Sequence, residues 1–184
     1  MPHTDKAPTT PASRPVAIVT GGLRGLGLAI ARQMAQDGFD IAVIDLSPPG
    51  PECNAALMPL STSGARFKYY ALDISDIERH AETLAQIQHD FGPVTCLVNN
   101  AGIAARPLTD ILALEAEAFD RSMDINLRGT FFLTQAFAKM LLDTPAADQG
   151  CYRSIVLSTS IAAEMVSTNR WQYCISTDGV SMVA

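Results

Sequence analysis

The sequence lacks a long apolar run, a pair of neighbouring cysteines and any excess of positive charge. No window reaches the roughly 18 continuous apolar residues that a membrane-spanning helix needs, so we expect no membrane association. The chain carries 13 Lys and Arg against 19 Asp and Glu, which gives a net charge of -6. This charge provides no sequence-independent attraction to phosphate backbones or anionic lipid and therefore argues against a nucleic-acid partner.

Histidine and cysteine are too few and too scattered for a metal site or a disulfide framework. His3 lies in the N-terminal segment, while His80 and His89 lie on a predicted helix among solvated charges. None of the four cysteines forms a CxxC pair or stands at metal-ligand spacing from a histidine. We therefore predict no metal and interpret the cysteines as buried, reduced thiols. They are Cys53, Cys96, Cys151 and Cys174.

The N-terminal segment has no apolar stretch. It is rich in Pro and Thr, which is atypical of a signal peptide or a membrane anchor. We predict a flexible tail over residues 1–14 and a cytoplasmic location. An apolar fraction of 48% in 184 residues is enough for one domain with a single core, over residues 15–184.

What the sequence does contain is an alternation of short apolar runs and amphipathic segments. The runs are rich in β-branched residues and are typical of strands buried on both faces. Parallel neighbours need a crossover that packs back on the sheet. The alternation therefore predicts a Rossmann-like α/β fold, a doubly wound parallel sheet between two layers of helices. The predicted strands cover residues 16–20, 40–45, 66–73, 94–100 and 153–160.

Amphipathic patterns predict the helices between these strands. The first helix has an apolar stripe that repeats every four residues and is expected to face the core. This stripe consists of Leu26, Ile30 and Met34. Ser75 and Glu78 have the spacing of a capping box that opens a second helix. A long helix is predicted over residues 115–142, and a further helix near the end of the chain.

A glycine-rich loop follows the first strand, at the edge where parallel sheets bind ligands. In TGGLRGLG, the glycines at 21, 25 and 27 leave no Cβ between backbone and ligand. The following helix would point its N-terminal amides at a pyrophosphate. The alternative is a plain tight turn. The position of the loop between a buried strand and a helix favours dinucleotide binding.

The next three strand ends carry polar groups at the same edge of the sheet. Asp45 stands 18 residues beyond Gly27, where a carboxylate accepts hydrogen bonds from an adenosine ribose and disfavours a 2′-phosphate. Arg24 could instead pair with that phosphate. We weight Asp45 more, which favours NAD(H) and leaves NADP(H) open. Asp73 and the NNAG motif at 99–102 follow, with turn chemistry as their alternative explanation.

Three polar residues in the second half of the chain are candidates for chemistry. Asn126 shares a predicted helix face with Phe137, so its amide is turned inward, where an unpaired group costs about 1–3 kcal/mol. A structural link to backbone is the alternative to a catalytic role. Ser160 could donate a hydrogen bond to a substrate carbonyl, with Ser158 as the nearby alternative. Tyr173 could donate a proton, unless it is merely a half-exposed helix residue.

The order of these motifs resembles that of short-chain dehydrogenases/reductases, and especially of their 3-oxoacyl-acyl-carrier-protein reductase-like members. The glycine pattern, NNAG, an asparagine within DINLRG and a serine 13 residues before a tyrosine occur in family order over residues 15–184. The resemblance implies NAD(P)-dependent hydride transfer involving a small carbonyl or alcohol, by a homo-oligomer. It assigns the catalytic asparagine, serine and tyrosine to Asn126, Ser160 and Tyr173.

The resemblance also assigns the residues that bind the cofactor. Those for the phosphates are Gly21, Arg24, Gly25, Leu26 and Gly27. Those for the adenosine are Asp45 at the ribose and Asp73 with Ile74 at the adenine. Those along the remaining path are Asn100, Ala101 and Gly102.

One position departs from the family pattern. Its catalytic lysine falls on Thr177, one helical turn after Tyr173, and no lysine occurs after Lys139. A nearby cation stabilises the charged form of a tyrosine, so we predict impaired catalysis, and we do not expect Arg170 to compensate. The alternative is a non-catalytic module that binds nucleotide or forms oligomers.

The resemblance further implies that family members continue beyond the position of Ala184. That continuation carries the last strands of the sheet and a loop that covers the substrate. We therefore expect a Rossmann-like sheet that lacks its last strands, with an exposed apolar edge. Such an edge favours association.

Overall fold

The computed structural model describes residues 14–144 and 153–184. Within them, five strands form one parallel sheet in the order β3-β2-β1-β4-β5. This order confirms the predicted Rossmann-like, doubly wound architecture. The strands are β1 (Val16–Thr20), β2 (Asp40–Asp45), β3 (Phe67–Ala71), β4 (Val94–Asn99) and β5 (Ser154–Leu157).

Helices cover both faces of this sheet, because successive strand residues point to opposite sides. Ile18 and Ile44 point into one core cluster, while Val19 and Val43 point into the other. The helices are α1 (Gly25–Gln36), α2 (Pro51–Leu57), α3 (His80–Phe91), α4 (Ala116–Ser122), α5 (Thr130–Asp143) and α6 (Trp171–Ser181). The α3 and α5 side chains belong to the first cluster, and those of α1 and α2 to the second.

The prediction that Leu26 faces the core as the first residue of the apolar stripe of α1 is wrong. Leu26 is 66% exposed, whereas Gly27, Ala31 and Ala35 are buried against the sheet. These small residues allow the helix to approach the strands closely, and that close approach turns Leu26 towards the carboxyl edge of the sheet. Ile30 and the rest of the stripe pack only at the margin of the second core cluster.

The predicted capping box of α3 is also wrong. The Ser75 hydroxyl donates to Asp73 Oδ1 at 2.7 Å instead of capping a helix. A short 3₁₀ turn, Ile77–Arg79, intervenes before α3 begins at His80. The expectation that His80 lies among solvated charges is also wrong. His80 is 1% exposed, and its Nε2 lies 2.9 Å from the Ile74 carbonyl oxygen.

The long helix predicted over residues 115–142 is present but is not uniformly α-helical. Between α4 and α5 the chain forms a π-helical segment, Met123–Gly129. Single π-helical turns widen a helix and occur often at functional sites. Asn126 lies in the middle of this segment, and Phe137 is fully buried on α5, as its predicted face requires.

Three strands are shorter than predicted, and β5 is not buried. It forms one edge of the sheet within the described residues, and Val156 on it is 48% exposed. An edge strand lacks a second neighbour to shield it. The prediction of a buried strand there is therefore wrong, whereas the expected exposed apolar edge is present.

The remaining predictions concern the chain ends and the composition. Arg14, the last residue of the predicted tail, forms an ion pair with Asp40 and bonds to the Ala35 carbonyl oxygen at 2.6 Å. Residues 1–13 and Cys151 lie outside the described residues. The other three cysteines are buried and free, as predicted. No described helix is long and apolar enough to cross a membrane.

Candidate active site

The glycine loop lies at the carboxyl end of β1 and packs closely against Asn100 and Ala101, which follow β4. Gly21 has a φ of 65°, which favours glycine, and its amide donates to the Ile44 carbonyl oxygen at 2.7 Å. A Cβ on Gly27 would lie 2.5 Å from Asn100 Nδ2 and closer still to the Gly21 carbonyl oxygen. The loop therefore packs so closely against Asn100 that position 27 has no room for a side chain.

Thr20 connects this loop to the end of β4. Its buried hydroxyl accepts the amide hydrogens of Asn100 and Ala101, both at 2.9 Å. Asn100 Nδ2 returns a bond to the Thr20 carbonyl oxygen at 3.1 Å. The sequence analysis did not single out Thr20, although its place directly before Gly21 was a usable signal.

Asp45 is held at the end of β2 by two backbone amides. Its Oδ2 accepts from Leu23 at 3.1 Å and its Oδ1 from Leu46 at 2.8 Å. The Tyr69 hydroxyl donates to the Asp45 carbonyl oxygen at 2.9 Å. Burial, and then the charge of Asp45, raises the pKa of Tyr69 above its ordinary value, so Tyr69 remains a donor. The carboxylate thus has a fixed position beside the loop.

Asp73 and Ile74 follow β3 and face the same region. Asp73 Oδ1 accepts both the amide and the hydroxyl of Ser75, at 2.9 and 2.7 Å. Gly129 of the π-helical segment lies so close to Ile74 that a Cβ there would be 2.5 Å from the Ile74 carbonyl oxygen. The helix that carries Asn126 is thereby seated directly against the end of β3.

These strand ends enclose a first cavity of about 260 Å³. All predicted cofactor-binding residues except Gly25 line it. Arg121 and Ile125, from the helix above, complete it although the sequence analysis did not select them. Its lining comprises Gly21, Arg24, Leu26, Gly27, Ile44, Asp45, Leu46, Leu72, Asp73, Ile74, Asn100, Ala101, Gly102, Ile103, Arg121 and Ile125.

Asn126 is 6% exposed and its amide is fully engaged. Oδ1 accepts the Ile103 amide at 2.8 Å, and Nδ2 donates to the Ile103 carbonyl oxygen at 3.0 Å. Nδ2 also donates to Ser176 Oγ at 3.1 Å. Asn126 therefore joins the loop after β4 to α6, which is the structural link that its burial required.

Tyr173 and Thr177 lie one turn apart on α6 and line a second cavity of about 200 Å³. The Thr177 hydroxyl donates back to its own helix, to the carbonyl oxygens of Tyr173 and Cys174 at 2.9 and 3.1 Å. Within the described ranges, the Tyr173 hydroxyl makes no hydrogen bond to another residue. It is free to meet a ligand in the cavity.

No lysine or arginine of the described residues lines the second cavity. Arg170 precedes α6 and is not part of the lining. The cavity is bounded by amide and hydroxyl groups together with apolar residues. Its lining comprises Leu26, Asn99, Asn100, Ala101, Gly102, Ile103, Ala104, Asn126, Thr130, Ser158, Thr159, Tyr173, Thr177 and Val180.

The two candidate serines differ in their relation to this cavity. Ser158 lines it, and its amide donates to the Asn99 carbonyl oxygen at 2.9 Å. Ser160 does not line it and begins a 3₁₀ turn, where its Oγ accepts the Ala162 amide at 3.2 Å. That bond uses a lone pair of Ser160 and leaves its hydroxyl hydrogen available. Both serines remain candidates for the hydrogen-bond donor.

The two cavities adjoin, and the pair is called the trough here. Leu26 and the residues from Asn100 to Ile103 line both of them. The trough runs along the carboxyl ends of the strands, with the glycine loop and Asp45 at one end and Tyr173 at the other. Across the described part of the chain, no three His, Cys, Asp or Glu side chains are grouped to hold a metal ion.

The family model described as short chain dehydrogenase matches residues 15–184. A crystal structure of 3-oxoacyl-[acyl-carrier protein] reductase from Brucella melitensis, in complex with NAD, is 41% identical with a TM-score of 0.86. The match covers 92% of this chain and 65% of that one.

Two curated relatives carry other names. D-threitol dehydrogenase of Mycolicibacterium smegmatis is 33% identical over 90% of this chain and 60% of its own length. 2-(S)-hydroxypropyl-CoM dehydrogenase 3 of Xanthobacter autotrophicus is 36% identical over 70% of this chain and 49% of its own length. The chain thus spans about half to three fifths of the length of these relatives.

Proposed function

Because this chain belongs to the short-chain dehydrogenase family, we propose that it binds a nicotinamide dinucleotide and transfers hydride to or from a small carbonyl or alcohol. The observation that carries the proposal is that the cavity beside the glycine loop and the cavity lined by Tyr173 adjoin and share five lining residues. The 3-oxoacyl-[acyl-carrier protein] reductase with bound NAD supports a reductase of 3-oxoacyl type. Thr177 limits turnover.

The residues of the first cavity fit a dinucleotide. Gly21 and Gly27 line this cavity at the start of α1, where the N-terminal amides and the helix dipole favour a pyrophosphate. Asp45 would accept hydrogen bonds from the adenosine ribose, and Asp73 with Ile74 would hold the adenine. The shared wall at Asn100, Ala101 and Gly102 would direct the nicotinamide towards Tyr173.

Asp45 supports a preference for NAD(H) over NADP(H). Both of its carboxylate oxygens are held by backbone amides, so the charge cannot easily turn away from the cavity. A 2′-phosphate would meet this charge at short range. Arg24 also lines the cavity and is the residue that would relieve the repulsion. Because the D45N variant removes the charge of Asp45, it should bind NADH and NADPH with more nearly equal affinity.

In the proposed reduction, the carbonyl carbon would receive a hydride from the dihydronicotinamide of a dinucleotide bound in the first cavity, which would become the oxidised nicotinamide. Tyr173 donates its hydroxyl proton to the developing alkoxide oxygen, which leaves a tyrosinate. Ser160 donates a hydrogen bond to the same oxygen, and Ser158 is the alternative donor. Asn126 holds the Ile103 loop and α6 in register and so positions the wall of the cavity.

Thr177 supplies no charge to support the tyrosinate. Its hydroxyl is directed to carbonyl oxygens of its own helix, and the lining of the second cavity has no cation among the described residues. A tyrosinate without a nearby cation is disfavoured. We therefore propose slow turnover, which is slowest for alcohol oxidation because that direction starts from the tyrosinate.

The same observation favours a second candidate, a non-catalytic module that binds the dinucleotide without turnover. A cytoplasmic homo-oligomer is proposed in either case, since the exposed β5 edge offers surface for association.

Calorimetry with NADH and NADPH, combined with a turnover assay on small ketones and 3-oxoacyl thioesters, tests these proposals. We expect binding of both with a preference for NADH, and slow turnover that Y173F abolishes. Binding with no measurable turnover would support the module. Absence of binding to either dinucleotide would reject both functions.

A further inference from the structure

Arg121 is a cation that lines the first cavity and that no described residue engages. It lies at the end of α4, one helical turn before Ile125, and both side chains line the cavity. No ion pair, hydrogen bond or ring contact holds its guanidinium anywhere in residues 14–144 and 153–184. An unpaired guanidinium that borders a cavity is available to a ligand.

The carboxylates of the same cavity are in a different state. Asp45 accepts two backbone amides, and Asp73 Oδ1 accepts the amide and hydroxyl of Ser75. Neither carboxylate forms an ion pair with Arg121 within the described part of the chain. The cavity therefore presents carboxylates held in place on its strand side, with acceptor capacity left for a ligand, and a planar cation on its helix side.

The position of Arg121 decides which part of a ligand it can touch. Arg121 lines the first cavity and not the second, so it lies away from Tyr173. Gly129, on the same helical run, is seated against the Ile74 carbonyl oxygen, which brings this run beside the end of β3. Arg121 thus lies on the helical run that packs against the strand end carrying Asp73 and Ile74, and it lines the same cavity as they do, while Arg24 belongs to the glycine loop.

We propose that Arg121 is a specificity-determining residue for the adenine half of the dinucleotide, with its guanidinium stacked on the base opposite Asp73 and Ile74. A guanidinium is planar, always charged and stacks well on aromatic faces. Stacking of bases on such groups depends on the π-face and not on a phosphate. This inference rests on the proposed dinucleotide binding and adds a residue to it.

The test compares wild-type protein with R121A by calorimetry against four ligands: NADH, NADPH, ADP-ribose and reduced nicotinamide mononucleotide. We expect R121A to weaken the three adenine-containing ligands by a similar factor, roughly 3- to 30-fold, as the strength of cation–π contacts implies. Binding of the mononucleotide should not change. R121Q, which is planar but uncharged, should fall between wild type and R121A.

R128A is the matched control. Arg128 lies seven residues further along the same helical run, lines neither cavity and contacts the Phe132 ring at 5.7 Å. R128A removes the same charge from the protein as R121A does. Because Arg128 lines neither cavity, R128A should leave all four affinities unchanged. A drop in NADH affinity equal to that of R121A would reduce the effect to general electrostatics and overturn the proposal.

Other outcomes separate the inference from the proposed function. If R121A lost affinity only for NADPH, Arg121 would contact the 2′-phosphate. If R121A lost affinity equally for the mononucleotide, the role of Arg121 would be structural. Either outcome overturns the proposed stacking. If ADP-ribose binding depends on Arg121 but NADH is never turned over, the proposed catalysis fails and the inference stands. If wild-type protein does not bind ADP-ribose, both are overturned.

Discussion

The two ends of the trough differ in whether the groups expected there are present. The glycine-loop end is complete, because its expected polar groups are held in place, whereas the Tyr173 end is incomplete, because its described lining lacks a cation. At the glycine-loop end, Thr20, Asn100 and Asp45 each have partners that fix the backbone and the charge. At the other end, Tyr173 faces a cavity whose described lining has no cation, and Thr177 bonds to its own helix. In the proposed function, binding and chemistry would be carried by separate elements, so one could weaken while the other is kept.

The largest loss of stability and binding should come from a substitution that obstructs the glycine-loop end of the trough. G27A places a Cβ against the Gly21 carbonyl oxygen and Asn100 Nδ2, which are both held by bonds that join β1 to β4. Overpacking usually costs about 1–3 kcal/mol, and we expect at least about 3 kcal/mol because the obstacle includes backbone. Urea denaturation should show this loss, and calorimetry should show no dinucleotide binding.

G25A is the matched comparison for G27A. Gly25 has a φ of 54° but nothing lies within 4 Å of its Cβ position. Its substitution should cost only the backbone strain, about 1–2 kcal/mol, and weaken binding without abolishing it. Equal stability of the two variants would show that the contact at Gly27 does not restrict the loop.

A smaller effect is expected at the junction between the two ends. N126A leaves the Ile103 amide and carbonyl oxygen without their partner, and unsatisfied buried groups cost about 1–3 kcal/mol each. We expect a loss of about 2–3 kcal/mol in the free energy of unfolding. N54A, at an exposed position on α2, should change it by less than about 0.5 kcal/mol. A neutral N126A would refute the structural link.

The smallest effect, and the most informative for the incomplete end, is a gain of activity. T177K places a cation one turn after Tyr173, beside a cavity of about 200 Å³ that gives the longer side chain room. Stabilising the tyrosinate by about 1.4 kcal/mol corresponds to roughly a tenfold gain in kcat for alcohol oxidation at neutral pH. Steady-state kinetics with NAD would measure it.

T177M controls for side-chain length, since it fills the same space without charge. It should show no gain in kcat. If T177K binds NADH normally and is no faster than T177M, then the missing charge is not what limits turnover, and the contrast between the two ends has another cause.

Much of the complete end could be predicted from local signals. The bounds of β1 and β2 agree with the apolar runs, because a buried parallel strand is a continuous run between turn residues. The positions of Gly21, Gly27 and Asp45 follow from strand ends alone. All of them line the first cavity.

Other features depend on contacts that the sequence pattern does not record. Leu26 fits the periodicity of α1, yet the close approach of Gly27 and Ala31 to the sheet turns it outward. The apolar composition of β5 is that of a buried strand, but its edge position exposes it. In both cases tertiary packing overrides local propensity.

The sequence by itself determined the order of strands and helices, the glycine loop and the absence of a cation at position 177, since these follow from residue type and spacing along the chain. Only the tertiary structure decided that Asn126 bonds to the Ile103 loop, that Ser158 and not Ser160 lines the second cavity, and that Arg121 borders the first. These facts depend on the packing of segments that are far apart in the chain, and packing is set by the shapes of all the contacting side chains together.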